Sequence, residues 1–354
     1  MTGATGYIGS HVVKSLLEKG YSVRGTVRSL GNEKRLEFLR AMPGASDNLE
    51  LVEANLISTD GWDDAMKDIT EVMHVASPFF MRVKKPQEEL VTPAVQGTEN
   101  VLNAAKKAGS VKKIVLTSSM AAVFDEVIDG KVFDESCWNE LSSLKRNPYY
   151  FSKVCAEKRA WELQKEHDSY KLITINPGLV YGPSNNEVVG ESCGTLRDFC
   201  LGKVPGCPPV MMNIVDVRDV ATAHIAAMES DSASGRYCCF ERCGNFLEVS
   251  QAIERNFPGG YKVPKKQLGV GLVKFFALFQ PAAIRVFLRL NAGRTLQADN
   301  SKIKRELGLE FLPFDTTIKD TIDAFIAHGI VPPPRVPKQP KAKGAGKKKA
   351  SNEE

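Results

Sequence analysis

Residues 2–27 read TGATGYIGSHVVKSLLEKGYSVRGTV. Gly3, Gly6 and Gly9 stand three apart. Glycine at the first two positions permits positive φ and lets backbone N–H groups approach a phosphate closely, and the third lets the following helix pack tightly on a sheet. GSHVVKSLLEKG carries apolar residues at helical spacing and ends in glycine, and YSVRGTV reads as a buried strand. A glycine turn opening such a helix suits a dinucleotide pyrophosphate, held at the positive end of the helix dipole near Tyr7. The turn's own strand is not visible, since only Met1 and Thr2 precede Gly3. We expect the first β-strand to be missing and its central slot in the sheet to be empty, which leaves two strand edges unpaired.

Further strands are expected at 49–54, 71–77, 112–119 and 171–177, with a second helical pattern in GTENVLNAAKKAG. Strands alternating with helices predict an α/β fold, a doubly wound parallel sheet of Rossmann type covered on both faces. The order breaks after Pro183, where glycine- and proline-rich loops (183–212) and a helical region (245–290) follow. Between them NIVDVRDVATAHIAAM reads as strand into helix and GRYCCF as another strand. The expected organisation is a dinucleotide-binding domain at 1–182 and 213–241, with a smaller substrate lobe at 183–212 and 242–330. His224 falls in a helical apolar pattern and is expected in the core. LVKFFALFQPAAIRVFLRL (272–290) has the character of a membrane-surface helix, but is expected to cover an apolar pocket in the substrate lobe.

Residues 331–354 hold seven Lys/Arg and two Glu, which leaves 40 basic and 40 acidic side chains in the first 330. The balanced body carries no signature of nucleic-acid binding, and the basic tail is expected to be disordered. No apolar run approaches the roughly 18 residues of a membrane span, and no signal peptide is visible. We expect a cytoplasmic chain, monomeric or homodimeric, although a targeting peptide would be lost along with a missing first strand. The eight cysteines show no metal-ligand spacing; Cys238, Cys239 and Cys243 come nearest, with no second pair to complete a site.

The strand YSVRGTV is followed by Arg28, with Lys34 and Arg35 beyond, where a carboxylate would select the ribose of NAD. Guanidinium groups there suit a 2′-phosphate, so NADP(H) is the expected cofactor. In NPYYFSKVCAEKRAW, Tyr149 and Lys153 are four apart on one helix face, and Tyr150 is three from the same lysine. An ammonium close to a phenol lowers a pKa that is normally near 10 and makes proton transfer practical at neutral pH. Spacing alone leaves both tyrosines open. KKIVLTSS supplies hydroxyls at a strand end, where open α/β sheets bind ligands.

The glycine loop, the strand ending in Ser-Ser and the Tyr-x-x-x-Lys helix together resemble the extended short-chain dehydrogenase/reductases. GTVRS, HVASP, KKIVLTSSMAAV, DESCW, SKVCAEKRAW and VDVRDVATAHI are similar to the branch that contains dihydroflavonol reductase and cinnamoyl-CoA reductase, over about residues 1–330. The resemblance implies Tyr149 as the acid that protonates the carbonyl oxygen, Lys153 as the group that lowers its pKa and holds the nicotinamide ribose, and Ser119 as a second hydrogen bond to that oxygen. It implies a cofactor set of Gly3, Gly6, Tyr7, Ile8, Gly9, Arg28, Arg35, Asn55, Leu56, Ala76, Ser77, Pro78, Thr117, Lys153, Pro177 and Val180. Asn55 stands where the family usually has an aspartate for the adenine amino group, so weakened adenine recognition is expected. Phe124 occupies the position from which plant dihydroflavonol reductases read flavonoid hydroxyls with an amide, which argues against a flavonoid substrate. The reading that results is NADPH-dependent reduction of a medium-sized apolar aldehyde or ketone. A nucleotide-sugar epimerase or dehydratase fits less well, because AAVFDE replaces the usual Tyr-Gly pair after the serine and no basic cluster marks a diphosphate pocket. A non-catalytic NADP-sensing regulator would typically have lost the Tyr or the Lys.

Overall fold

The computed structural model describes residues 1–77, 83–187, 189–280 and 282–335. Helix α1 (Tyr7–Glu18) follows the glycine turn and leads into β1 (Val23–Val27), α2 (Glu33–Arg40), β2 (Leu49–Glu53) and β3 (Glu71–His74). Next come α3 (Thr92–Ala108), β4 (Lys113–Thr117), α4 (Pro148–Glu166) and β5 (Lys171–Pro177). The central strands β3, β4 and β5 are buried along nearly their whole length, as strands covered on both faces require, whereas β2 (LELVE) alternates Leu and Glu and is only half-buried. β1 pairs with β2, and β3, β4 and β5 run side by side in parallel register.

The slot expected to be empty is instead filled by Met1 to Ala4, which lie between β1 and β3 and pair with both. Thr2 bridges His74 and donates its N–H to Met73 O at 2.9 Å. On the other side Thr26 N–H donates to Met1 O at 2.9 Å and Ala4 N–H to Thr26 O at 3.2 Å. These bonds join the pair β1–β2 to the larger sheet, so the glycine turn sits where the chain direction switches from one half of the sheet to the other. Open α/β sheets bind ligands at that position.

After β5 the chain makes β6 (Leu179–Tyr181), α5 (Cys193–Cys200), β7 (Met211–Asp216), α6 (Val217–Glu229), β8 (Gly235–Cys239) and β9 (Arg242–Asn245). β8 returns to the main sheet beside β5, whereas β7 runs between β6 and β9 in a small separate sheet. The boundary between the two expected parts therefore passes through this second sheet. α5 occupies a stretch read from sequence as loop. Its apolar face, Cys193, Leu196, Phe199 and Cys200, is buried in the second core with Ile214, Val249 and Ile322. The remaining helices are α7 (Phe246–Asn256), α8 (Val270–Phe276), α9 (Ala282–Asn291), α10 (Ser301–Leu307) and α11 (Phe314–Ala327).

One core, with Val12, Leu16, Val27, Ile173 and Val220, fills the space under α1 and α6; another, with Val101, Leu102, Ile114 and Leu163, lies under α3 and α4 on the opposite face. His224 is fully buried in α6, as its apolar pattern implied. The end of the described chain is also packed. Val331 is buried, Tyr261 Oη donates to Pro332 O at 3.0 Å, and Arg335 N–H donates to Gly260 O at 3.0 Å. The tail expected to be disordered thus starts packed through Val331, Pro332 and Arg335, and residues 336–354 lie outside the described part. Among the described residues no helix is long and apolar enough to cross a membrane.

Candidate active site

The glycine turn is built by contacts that exclude side chains. Gly3 has φ +70°, and a Cβ there would lie 3.0 Å from Ala76 Cβ. A Cβ on Gly9 would meet Gly3 O at 2.2 Å, so only glycine lets α1 start so close to the turn. Gly6 is the N-cap of α1 and donates its N–H to Gly3 O at 2.9 Å. No side chain caps this helix and no acidic residue sits in its first turn. The N-terminal amides near Tyr7 and Ile8 are therefore not taken up by a carboxylate of the chain, and the cradle would fit a pyrophosphate. The Tyr7 side chain does something else: its hydroxyl donates to Gly182 O at 2.8 Å and ties the turn to the chain beyond β6.

Arg28 directly follows β1 and Arg35 lies in the first turn of α2, both exposed. Among the described residues neither makes an ion pair. The nearby Glu53 carboxylate accepts the Leu30 N–H at 2.5 Å and so braces the loop that carries Arg28. Asn55 is exposed, and its side-chain oxygen accepts the Ile57 N–H at 3.2 Å, so one acceptor position expected for adenine already closes a turn. Leu56 packs against Gly97 of α3. Ala76 and Ser77 follow β3 beside the glycine turn, half-buried, and Pro78 lies outside the described residues. Thr117 is buried, with its hydroxyl on His224 Nε2 at 2.6 Å, while His224 Nδ1 meets Val220 O at 2.7 Å. Since that carbonyl only accepts, Nδ1 carries the proton and Thr117 donates. The Thr117 side chain thus links β4 to α6.

Helix α4 starts where Asn147 turns at φ 51° and Pro148 takes the first helical position, which suits a residue without an N–H. Asn147 donates its side-chain amide to Asp125, which also pairs with Arg146 at 2.7 Å. Two residues on, the Tyr149 hydroxyl is hydrogen-bonded to the Ser119 side chain. The neighbouring Tyr150 ring turns toward Phe287, with ring centroids 6.5 Å apart. One turn further, Lys153 Nζ is 5.9 Å from the Tyr149 ring centroid and the lysine is buried.

Burial pushes the Tyr149 phenol well above its usual value, with the Ser119 bond acting against it. The expected lowering by Lys153 does not appear; desolvation dominates and only Ser119 opposes it. The lysine is itself held down at about 8 by burial, with Glu157 acting in the opposite sense, so its positive charge is weakened close to neutral pH. A phenol that stays protonated can donate a hydrogen bond to a carbonyl oxygen, while giving up its proton requires the phenolate to be stabilised.

These residues open onto a cavity of about 250 Å³. Its walls are Leu90, Met120, Phe124, Val127, Leu179, Met211, Ile284 and Phe287, with Ser119, Tyr149, Tyr150 and Asn213 as polar points and Pro177 at one side. Val180 is buried beside it in β6. Phe124 stacks on Phe133 at 4.7 Å between ring centroids and presents carbon to the cavity. The segment at 272–290 does contribute to the wall, through Ile284 and Phe287.

The sequence reading missed Glu157. Its carboxylate, 1% exposed, accepts from Ser118 Oγ at 2.5 Å, Asn176 Nδ2 at 2.8 Å and Arg236 Nε at 2.6 Å. Asn176 also donates to Ser119 O at 3.2 Å, and Arg236 lies 3.9 Å over the Trp138 ring. A carboxylate four residues after Lys153, on the buried face of the same helix, was the available signal.

Glycine turn, switch-point geometry and a Ser–Tyr–Lys group over an apolar cavity define a dinucleotide-binding protein of the extended short-chain type. Residues 1–238 match the NAD dependent epimerase/dehydratase family, and the chain belongs to it. It is 35% identical over 332 residues to a cinnamoyl-CoA reductase of Medicago truncatula, covering 92% of this chain and 94% of that one. It is 34% identical over 338 residues to tetraketide alpha-pyrone reductase 1 of Arabidopsis thaliana, covering 93% and 95%. Among solved structures, yeast methylglyoxal/isovaleraldehyde reductase in complex with NADPH superposes with a TM-score of 0.77 at 29% identity, covering 93% of this chain and 98% of that one.

Proposed function

We propose that this chain reduces a medium-sized apolar aldehyde or ketone to the alcohol with NADPH. The observation that carries the reading is the hydrogen-bonded pair Tyr149–Ser119 with Lys153 behind it, at the wall of an apolar cavity. The glycine turn would hold the pyrophosphate, and Arg28 and Arg35 the 2′-phosphate. Bound NADPH supplies a hydride to the carbonyl carbon. Ser119 Oγ and Tyr149 Oη hydrogen-bond the carbonyl oxygen and fix which face is presented. Tyr149 Oη gives its proton to that oxygen as negative charge develops there, and the Lys153 ammonium stabilises the phenolate left behind. The apolar wall keeps water from the reacting atoms and favours a carbon-rich substrate. Named relatives that are reductases, and the NADPH in the yeast structure, support the reading.

The test is NADPH oxidation against a panel of aldehydes and ketones. Tyr149→Phe is expected to abolish turnover while NADPH still binds, and Tyr150→Phe to keep at least a substantial part of it. A dead Tyr150→Phe with an active Tyr149→Phe, or binding of NADPH with no carbonyl reduced, overturns the proposal.

A further inference from the structure

The segment from α8 to α9 has two different faces. Inward, Val273 and Ala277 are buried, and Ile284 and Phe287 wall the cavity. Outward, Leu272, Phe275, Phe276, Leu278 and Phe279 are exposed, Phe279 at 73%. The rings are contiguous, with Phe275 5.7 Å from both Phe276 and Phe279 between centroids. Thirteen large apolar side chains are exposed among the described residues, and six of them fall within 270–279. Single exposed apolar residues need no explanation; a cluster of this kind marks an interaction surface.

The stretch of chain that carries it is one-sided in charge. Residues 255–298 contain eight Lys/Arg and not one Asp or Glu, although residues 1–330 as a whole are balanced. Lys262, Lys266, Lys274, Arg285 and Arg289 make no ion pair among the described residues. The last described residue, Arg335, is bonded to Gly260 at the start of this acid-free stretch. The 19 residues after it carry six lysines and two glutamates, and fully extended would reach about 60 Å.

We propose that this face docks on an anionic phospholipid bilayer. The aromatic and leucine side chains would enter the boundary between headgroups and acyl chains, and the unpaired cations would meet the anionic headgroups. One weak apolar anchor holds a protein only marginally, whereas an apolar patch with a polybasic partner gives the two signals that stable attachment needs. A symmetric dimer through the same face would bring Lys274, Arg285 and Arg289 of two copies together, which opposes that alternative. An apolar substrate dissolved in the bilayer would meet the cavity at the membrane surface. That consequence rests on the reductase reading; lipid binding does not.

The experiment is co-sedimentation of the full chain with vesicles of pure phosphatidylcholine, and of phosphatidylcholine with about one-third phosphatidylserine, at low and raised salt. Binding to the phosphatidylserine vesicles is expected, weakened by salt. The triple variant Phe275→Ser, Phe276→Ser, Phe279→Ser should bind about tenfold or more weakly, with unchanged far-ultraviolet circular dichroism and thermal midpoint. Lys274→Glu with Arg289→Glu should weaken binding also. No binding by the wild-type chain, or equal binding by the triple variant, overturns the proposal. So does a wild-type dimer that the triple variant converts to monomer in analytical ultracentrifugation, because the patch then covers a second copy. A wild-type chain that binds vesicles but reduces no carbonyl leaves the docking intact and removes only the reductase reading.

Discussion

Arg28 leaves the end of β1 with its guanidinium in solvent and, among the described residues, no acidic partner. A bidentate cation at this position has nothing to discriminate until a 2′-phosphate arrives, because the ribose of NAD offers only a hydroxyl. Arg28→Ala is therefore expected to raise the KM for NADPH about ten- to hundredfold, the range for one charge-assisted contact, and to leave that for NADH nearly unchanged. Steady-state kinetics with both cofactors checks it, and equal effects on the two would remove Arg28 from the phosphate site. The same scale separates the two tyrosines. Spacing along α4 left both open, and what differs is direction, Tyr149 toward Ser119 and Tyr150 toward Phe287.

Helix α4 works as a unit, because Tyr149, Lys153 and Glu157 recur at four-residue intervals down one face. The first two belong to the proposed chemistry and the third anchors the helix to β4, β5 and β8 through Ser118, Asn176 and Arg236. Both members of the Glu157–Arg236 pair are buried, so removing one charge leaves the other without compensation. Glu157→Gln is expected to cost about 3–5 kcal/mol in chemical denaturation, and Glu157→Leu with Arg236→Met to recover much of that. A change below about 1 kcal/mol would mean that the pair does not anchor the helix. Glu157 also raises the Lys153 pKa, so its loss should move the alkaline limb of the activity profile, expected near pH 8, to lower pH. Loss of rate with an unmoved limb would assign Glu157 a purely structural part.

Across the whole molecule, burial holds His11 and His224 at about 4 and His74 at about 3, below their ordinary 6.5. The folded chain keeps these imidazoles neutral, while the unfolded chain takes up protons as the pH drops through 6.5. Stability is therefore lost on acidification between about 6.5 and 4. Asp219 acts in the opposite direction: burial raises it from 3.8 to about 7, so its contribution fades as the pH rises through that window. Three groups against one make net acid destabilisation the expected outcome. His224→Gln should reduce the slope of unfolding free energy against pH, between 6.5 and 4, by about one proton, whatever it does to absolute stability. Denaturation series across that range measure the slope directly, and an unchanged slope would mean that His224 is not the neutral buried base described.

What the sequence determined by itself was the parallel sheet, the glycine turn and a tyrosine on the helix face of Lys153; the choice of Tyr149 and of Ser119 came from the family resemblance. Each of the first three is written in neighbours: periods of two and of 3.6, glycine where a Cβ has no room, and spacing of three or four on one helix. Local pattern was too weak for α5, where eight residues with a glycine and two cysteines form a helix because their apolar face is buried in the second core. Nor did it show that β7 joins the small sheet, that Thr117 bonds His224, or that Leu90, Met211, Ile284 and Phe287 meet around one cavity. Those outcomes join positions tens to hundreds of residues apart, and the direction of a side chain there is set by what packs against it. Only the tertiary structure decides that, because packing is a property of the assembled chain and not of any window along it.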